Sequence, residues 1–169
     1  MVDLRKLAKK DTQLILEWMK DPEVNRFFRF DPEKINEETV LSFINNSYSE
    51  SERHYAVSDE NDIYQGTVSL KNIDQTNGSA EYAISMRRLS QRKGYAHIGT
   101  SKILRVAFNE LGLHRIYLNV FEDNTRARLF YEKFGFIYEG CFKDHLYIRG
   151  AYKSLCWYRI LDSEFTLMD

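Results

Sequence analysis

A turn rich in small and basic residues separates a strand pattern from a long helical pattern, at Gln91-Arg92-Lys93-Gly94-Tyr95-Ala96. The first backbone N–H groups of a helix lack intrahelical partners, and the helix dipole there favours an anion. Gly94 has no Cβ, so a phosphate can approach the backbone, and Arg92 and Lys93 add positive charge. The spacing fits neither the GxxxxGK(S/T) loop nor the GxGxxG turn. The segment indicates an anion cradle, although a lone glycine that merely opens a helix is an equally good interpretation of this turn alone.

A second group of residues follows downstream on a predicted helix. Asn124 and Tyr131 are seven residues apart, which is nearly two helical turns and roughly 10 Å along one face. Tyr131 also lies beside Phe130 and Phe134 on the apolar stripe of that helix. Taken alone, its position is therefore also typical of a tyrosine that packs in the core.

Together these segments resemble the GNAT acetyltransferases. Gln91-x-x-Gly94-x-Ala96 resembles the Q/R-x-x-G-x-G/A pyrophosphate loop of that family, with alanine as the final small residue. Asn124-x-x-Ala127-x-x-x-Tyr131-x-x-x-Gly135-Phe136 is similar to its N-x-x-A-x-x-x-Y-x-x-x-G-F block. The ending, with Glu139-Gly140 and then Gly150 and Tyr152, resembles the branch of ribosomal-protein N-terminal and spermidine acetyltransferases. The similarity covers nearly the whole chain in the correct order.

The resemblance implies an acetyl-CoA-dependent N-acetyltransferase that uses acetyl-CoA as co-substrate and no metal. The residues implied to bind it lie at the end of one strand, in the cradle, on the next strand and on the following helix. They are Ile84, Ser85, Met86, Gln91, Arg92, Lys93, Gly94, Tyr95, Ala96, Asn119, Asn124 and Ala127. The resemblance further suggests a β-bulge near residues 84–86, which would separate this strand from the strand at residues 115–120.

The reaction converts an amine and a thioester into an amide and a thiolate. A free alkyl amine has a pKa of about 10.4 and must lose a proton, for which Glu81 is the candidate base, directly or through water. A surface carboxylate on the polar face of the strand is the alternative for Glu81. Tyr131 is the candidate acid for the departing thiolate, and a backbone N–H near residues 84–86 is the candidate oxyanion donor.

The acceptor is left open by the sequence. Residues 21–40 carry six acids and three bases, and an acidic wall would suit a polyamine or a basic peptide. The same segment contains Arg26-Phe27-Phe28-Arg29-Phe30, in which arginines between aromatics could hold a phosphate or sugar ring, as in a nucleotide-linked amino sugar. A solvated helix start and a hydrophobic hinge are the simpler interpretations. A protein N-terminus is a further candidate acceptor, and a non-catalytic CoA-binding sensor is the alternative function.

Composition limits the remaining functions. The chain has 169 residues, 24 Lys plus Arg and 25 Asp plus Glu, so we expect one domain over residues 1–169 without a basic field for nucleic acid or membrane. Cys141 and Cys156 are too far apart in sequence for a CxxC motif, and the histidines lack metal-ligand spacing. We expect a cytoplasmic protein with reduced thiols, and a homodimer is possible.

The predicted elements follow the order β-α-α-β-β-β-α-β-α-β-β. Apolar residues at helical spacing define helices that start near Asp11, Asn36, Ala96 and Asn124, with Val40, Leu41, Ile44 and Tyr48 as the inner face of the second. Alternating patterns define seven strands, of which the sixth covers residues 136–143 and the seventh residues 152–161. The predicted fold class is therefore α/β (α+β), a single-domain GNAT fold whose mixed, mostly antiparallel seven-stranded sheet is flanked by about four helices.

Overall fold

Residues 2–165 are described in a computed structural model of the chain, and their strands form one seven-stranded sheet. The strands are β1 (Asp3–Lys6), β2 (Arg53–Ser58), β3 (Tyr64–Asp74), β4 (Ser79–Met86), β5 (Arg115–Phe121), β6 (Ile137–Ile148) and β7 (Ala151–Leu161). Their spatial order is β1-β2-β3-β4-β5-β7-β6. All neighbours are antiparallel except β4 and β5, which are parallel.

Six helices occur within the described residues. They are α1 (Thr12–Lys20), α2 (Pro22–Asn25), α3 (Glu37–Asn45), α4 (Tyr95–Arg105), α5 (Thr125–Phe134) and α6 (Asp162–Phe165), and α4 continues into a π-helical turn over Val106–Glu110. The four predicted helices correspond to α1, α3, α4 and α5. The two additional helices, α2 and α6, have four residues each, which is too short for a helical period to be visible. The predicted fold class is confirmed, with six helices in place of about four.

Two hydrophobic clusters cover opposite faces of the sheet. One lies under α4 and α5 and includes Ile103, Leu104 and Phe134, while the other lies under α1 and α3 and includes Ile15 and Val40. Successive strand residues point to opposite faces, so neighbouring positions of β2 and β3 contribute to different clusters. Because both faces are covered, the central strand β3 is buried from Tyr64 to Leu70.

Several local signals act as the sequence predicts. Asn36 caps α3, where its Oδ1 accepts from the Thr39 N–H at 3.0 Å. Gly112 and Gly135 follow the two long helices at φ +64° and +114°, a region that glycine enters without strain.

Three details of the sequence prediction are wrong. The Asp11 side chain does not cap α1, because its carboxylate is bound by the Arg5 guanidinium at 2.7 Å and by the Ala8 N–H at 2.9 Å. Tyr48 lies beyond α3 and is 45% exposed. The sixth strand, predicted to end at residue 143, continues to Ile148 and turns through Arg149 and Gly150, which both have positive φ.

Candidate functional site

The parallel strands β4 and β5 separate after a short paired section. Their pairing consists of Ser79 with Arg115, Ala80 with Ile116 and Glu81 with Tyr117. The edge of β4 that faces β5 therefore has no strand partner over residues 82–86, which leaves backbone groups available to a ligand. The separation agrees with the prediction, but the bulge does not: β4 pairs with β3 in regular register from Glu81 to Met86. The register shift in this region lies on the β3 side, between Lys71 and Asp74.

The opening between these strands continues into a cleft of about 1190 Å³. Its walls are β4, β5, the start of α4, one face of α5 and the loop at residues 26–30. The candidate residues that line it are Glu81, Ile84, Ser85, Met86, Gln91, Arg92, Gly94, Ala96, Asn119, Asn124, Ala127 and Tyr131. Lys93 and Tyr95 are not in the lining, and Tyr95 packs against the core under α4 and α5.

One end of the cleft is built to receive anions. Gly94 has φ +84° and no side chain or backbone atom within 4 Å of where a Cβ would stand, so backbone conformation selects glycine there. The backbone N–H groups that open α4 and the dipole of this 11-residue helix favour negative charge at this end. Arg126 on α5 also lines this end and donates to Gln91 Oε1 at 2.6 Å. These residues fit the phosphates of CoA.

Tyr131 lies on the inner face of α5, where it is 7% exposed. Its ring contacts the rings of Tyr82, Phe136 and Tyr158, which fixes its position. Its hydroxyl makes no hydrogen bond with residues 2–165, since burial alone shifts its pKa, and the side chain lines the cleft. Burial raises the pKa of Tyr131 above its ordinary value near 10, so the hydroxyl stays protonated at neutral pH.

Asn124 caps the helix that carries Tyr131. Its side-chain oxygen accepts from the Ala127 N–H at 3.3 Å, so it is the N-cap of α5. The Asn-x-x-Ala part of the pattern thus has a local structural reason, because it starts the helix on which Tyr131 is placed two turns later.

Glu81 lies at the point where β4 leaves β5 and is held by three donors. Lys71 Nζ lies 3.0 Å from Oε1, Asn72 Nδ2 lies 2.9 Å from Oε2, and Asn119 Nδ2 lies 3.4 Å from Oε1. The side chain is 17% exposed. A carboxylate has about four acceptor positions, so Oε2 keeps one for a further donor such as an amine. Asn119, predicted to bind acetyl-CoA, thus also contacts the candidate base.

Arg29 is a residue of the cleft for which the sequence suggested only alternatives. Phe28 and Phe30 pack against Trp18, with ring centroids 5.2 and 6.1 Å away, as a hydrophobic hinge would. Arg29, between them in sequence, lines the cleft, and its Nη2 donates to Asn119 Oδ1. The alternation of arginine and phenylalanine is the sequence signal that marks Arg29. It does not identify Asn119 as the partner, because Asn119 is 90 residues away in sequence.

Residues 2–165 contain neither a candidate metal site nor a candidate membrane-spanning helix. No group of three or more His, Cys, Asp or Glu side chains is arranged to hold a metal ion in this part of the chain. No helix in the same range is both long and apolar enough to cross a membrane.

Comparison with known proteins identifies the family. The family model described as an acetyltransferase (GNAT) domain matches residues 2–137. The spermidine N(1)-acetyltransferase of Vibrio cholerae is 28% identical over 162 residues, which cover 96% of this chain and 94% of that protein. The putative ribosomal N-acetyltransferase YdaF of Bacillus subtilis is 33% identical over 100 residues, 59% of this chain and 55% of the relative. The crystal structure of the Vibrio cholerae spermidine N-acetyltransferase in complex with CoA and spermine has a TM-score of 0.88 at 28% identity, over 98% of each chain.

These matches confirm the family expected from the sequence. The chain belongs to the GNAT family and is an acetyl-CoA-dependent N-acetyltransferase.

Proposed function

We propose that this chain acetylates the primary amine of a small molecule, with Glu81 as the base and Tyr131 as the proton donor. The observation that carries the proposal is that both side chains line the same cleft where β4 and β5 separate. Glu81 stands at the start of the separation and Tyr131 faces it from α5. An acceptor amine and a thioester that meet there would have a base on one side and an acid on the other.

The basic end of the cleft would bind the phosphates of acetyl-CoA. The N-terminus of α4 at Gly94, with Arg92 and Arg126 beside it, supplies backbone donors and positive charge. The acetyl-bearing end would then lie along residues 82–86 of β4, whose β5-facing edge has no strand partner. An unpaired backbone N–H there can donate to the oxyanion that forms during attack.

Proton transfer accounts for the two candidate side chains. Oε2 of Glu81 has a free acceptor position and can take the amine proton directly or through water. The leaving thiolate, with a pKa of about 8.5 if it resembles cysteine, can accept the Tyr131 proton. Because burial raises the pKa of Tyr131, its hydroxyl is protonated when the attack begins and can donate to the developing thiolate sulfur.

The relatives suggest which acceptors to assay first. Relatives from Vibrio cholerae and from two strains of Escherichia coli are named spermidine N(1)-acetyltransferases, so polyamines belong in any panel. The putative ribosomal N-acetyltransferase supports including a peptide with a free N-terminus. Amino sugars complete the panel because of the arginines at residues 26–30.

Thiol release from acetyl-CoA with this panel tests the proposal, in the wild type and in Glu81→Gln. We expect turnover with at least one amine and a kcat/KM about 10²–10⁴-fold lower in Glu81→Gln at neutral pH. Glu60→Gln, in an exposed turn before β3, is the matched control and should behave like the wild type. CoA binding without turnover of any amine would favour a non-catalytic sensor. Absence of CoA binding would contradict the proposal altogether.

We also propose that the chain forms a homodimer through the β6–β7 hairpin. Large apolar side chains on these two strands are 45–66% exposed, namely Ile137, Tyr138, Phe142, Tyr147 and Tyr152. Large exposed apolar side chains grouped on one hairpin commonly mark an association surface. Sedimentation of the wild type and of Phe142→Glu should show a dimer and a monomer respectively, and a monomeric wild type would contradict this.

A further inference from the structure

The amine-binding side of the cleft presents hydrogen-bond donors that other parts of the protein use only in part or not at all. Arg29 contacts only the neutral amide of Asn119 and has no carboxylate partner within residues 2–165. Trp157 Nε1 is buried without a partner in the same described range, and its side chain lines the cleft. Asn119 and Trp157 are opposite each other in the β5–β7 ladder and therefore share one face. Guanidinium and indole N–H groups donate only, so oxygen acceptors on a bound molecule would complement this face of the cleft.

The charge around the reacting amine has the same sign as that of a polyamine. The Glu81 carboxylate is paired with Lys71 Nζ at 3.0 Å, and Arg29 approaches the same pair through Asn119. These three side chains leave one excess positive charge beside the reaction centre. A protonated polyamine adds like charge and brings only further donors, which suits neither Arg29 nor Trp157.

Arg29 is held in this position by the packing of its own loop. Phe28 and Phe30, on either side, pack against each other and against Trp18. Arg149, in the β6–β7 turn, donates to the backbone oxygens of Asn25 at 3.3 Å and Phe30 at 3.1 Å. The backbone around Arg29 is thus anchored from two sides, which directs the guanidinium over the cleft.

Resting on the proposed function, we propose that the acceptor carries a carboxylate or phosphate close to its primary amine, and that Arg29 is the residue that selects it. The amine lies at Glu81 while the anionic group accepts from the Arg29 guanidinium, bidentate where geometry allows. The Asn119 amide lies between the Glu81 carboxylate and the Arg29 guanidinium. The polar atoms of Glu81 and Arg29 are therefore roughly 6–8 Å apart. Only a short spacer of about two to five bonds then fits between amine and anion, since each bond spans about 1.5 Å.

Paired acceptors that differ in the anion test this directly. Glycine is compared with glycinamide for the carboxylate, glucosamine 1-phosphate with glucosamine for the phosphate, and spermidine serves as the polycation. kcat/KM is measured by thiol release for the wild type, Arg29→Gln and Lys34→Gln. Gln retains a donor for Asn119 but removes the charge. Lys34 belongs to the same segment, is 83% exposed and does not line the cleft, so it is the matched control.

We expect the wild type to prefer the anionic member of at least one pair over its partner and over spermidine. Arg29→Gln should lower kcat/KM for that amine about 10- to 100-fold and leave its partner nearly unchanged, while Lys34→Gln changes neither. The pair whose anionic member loses kcat/KM in Arg29→Gln shows whether the bound anion is a carboxylate or a phosphate.

Two results would overturn the inference while leaving the proposed function intact. One is a wild type that prefers spermidine over both anionic amines. The other is an Arg29→Gln variant that loses activity equally with both members of each pair, which would make Arg29 a positioning residue for Asn119. Turnover of none of the five amines would contradict the proposed function, and this inference with it.

Discussion

Two buried tyrosines with adjacent rings allow the role of Tyr131 to be separated from a packing role. Tyr82 and Tyr131 lie in one aromatic cluster, with ring centroids 6.2 Å apart. The Tyr82 hydroxyl lies 2.7 Å from Thr100 Oγ1, whereas the Tyr131 hydroxyl makes no hydrogen bond with the described part of the chain. Replacing each tyrosine with phenylalanine removes one oxygen and keeps the ring, so the two variants differ chiefly in what that oxygen does.

The expected effects are opposite. Tyr82→Phe removes one buried hydrogen bond, and because the Thr100 hydroxyl still donates to the Ala96 carbonyl at 2.6 Å, the cost is about 1–1.5 kcal/mol of unfolding free energy. Its kcat should stay near that of the wild type. Tyr131→Phe breaks no internal hydrogen bond, so its unfolding free energy should change by less than about 0.5 kcal/mol. Its kcat should fall about 10²–10⁴-fold if the hydroxyl is the general acid.

Urea unfolding and steady-state thiol release measure both quantities on the same preparations. The raised pKa of Tyr131 adds a further expectation, since its protonated form persists above pH 10 and no loss of kcat from its ionisation should appear below that pH. If Tyr131→Phe keeps the wild-type kcat, or loses stability as Tyr82→Phe does, Tyr131 is a core aromatic and the assignment is wrong.

Three further predictions concern other parts of the molecule. A Cβ at Gly99 would lie 2.8 Å from Val57 Cγ2, so Gly99→Ala should lower the unfolding free energy in urea by about 1–3 kcal/mol; an unchanged midpoint would show that α4 can move away from the sheet. Arg126→Ala should raise the KM for acetyl-CoA roughly 5-fold with little change in kcat. If the variant and the wild type have equal KM values at low salt, Arg126 does not contact a phosphate. Burial lowers the pKa of His54, so below about pH 6.5 the unfolded chain binds a proton that the folded chain does not, and stability should fall from pH 7 to pH 5. His54→Asn should show a smaller fall over that range, and an equal fall would assign the effect to other groups.

The sequence predicts best those features that depend on residues near one another in the chain. The cap at Asn36 and the glycine after α5 act within one helical turn, and both are confirmed. The apolar stripe of α4 and the alternation in β5 are also local patterns, and Ile103, Leu104 and Ile116 are buried as expected. Such patterns, together with the similarity to the GNAT loop and block, predict the fold, which is confirmed, and the cradle, which stays a prediction.

Features that depend on distant partners could not be predicted in this way. Asp11 has the residue type of a helix cap, but Arg5 binds its carboxylate instead. Arg29 and Asn119 meet only because the loop after α2 folds over the end of β5. The strand separation needs no bulge in β4, because parallel pairing simply stops after Glu81. In each case the outcome is decided by tertiary packing, which local propensity does not contain.

The most direct test of the account follows the acetyl group itself. Acetyl-CoA with an isotope-labelled acetyl group is incubated with the chain and the acceptor that releases most thiol, and the products are identified by NMR. We expect the label to appear as an amide on the acceptor nitrogen, in equal amount to the released thiol, and we expect Tyr131→Phe and Glu81→Gln to form this amide slowly. Label recovered only as free acetate, or amide formed at wild-type rates by both variants, would contradict the account.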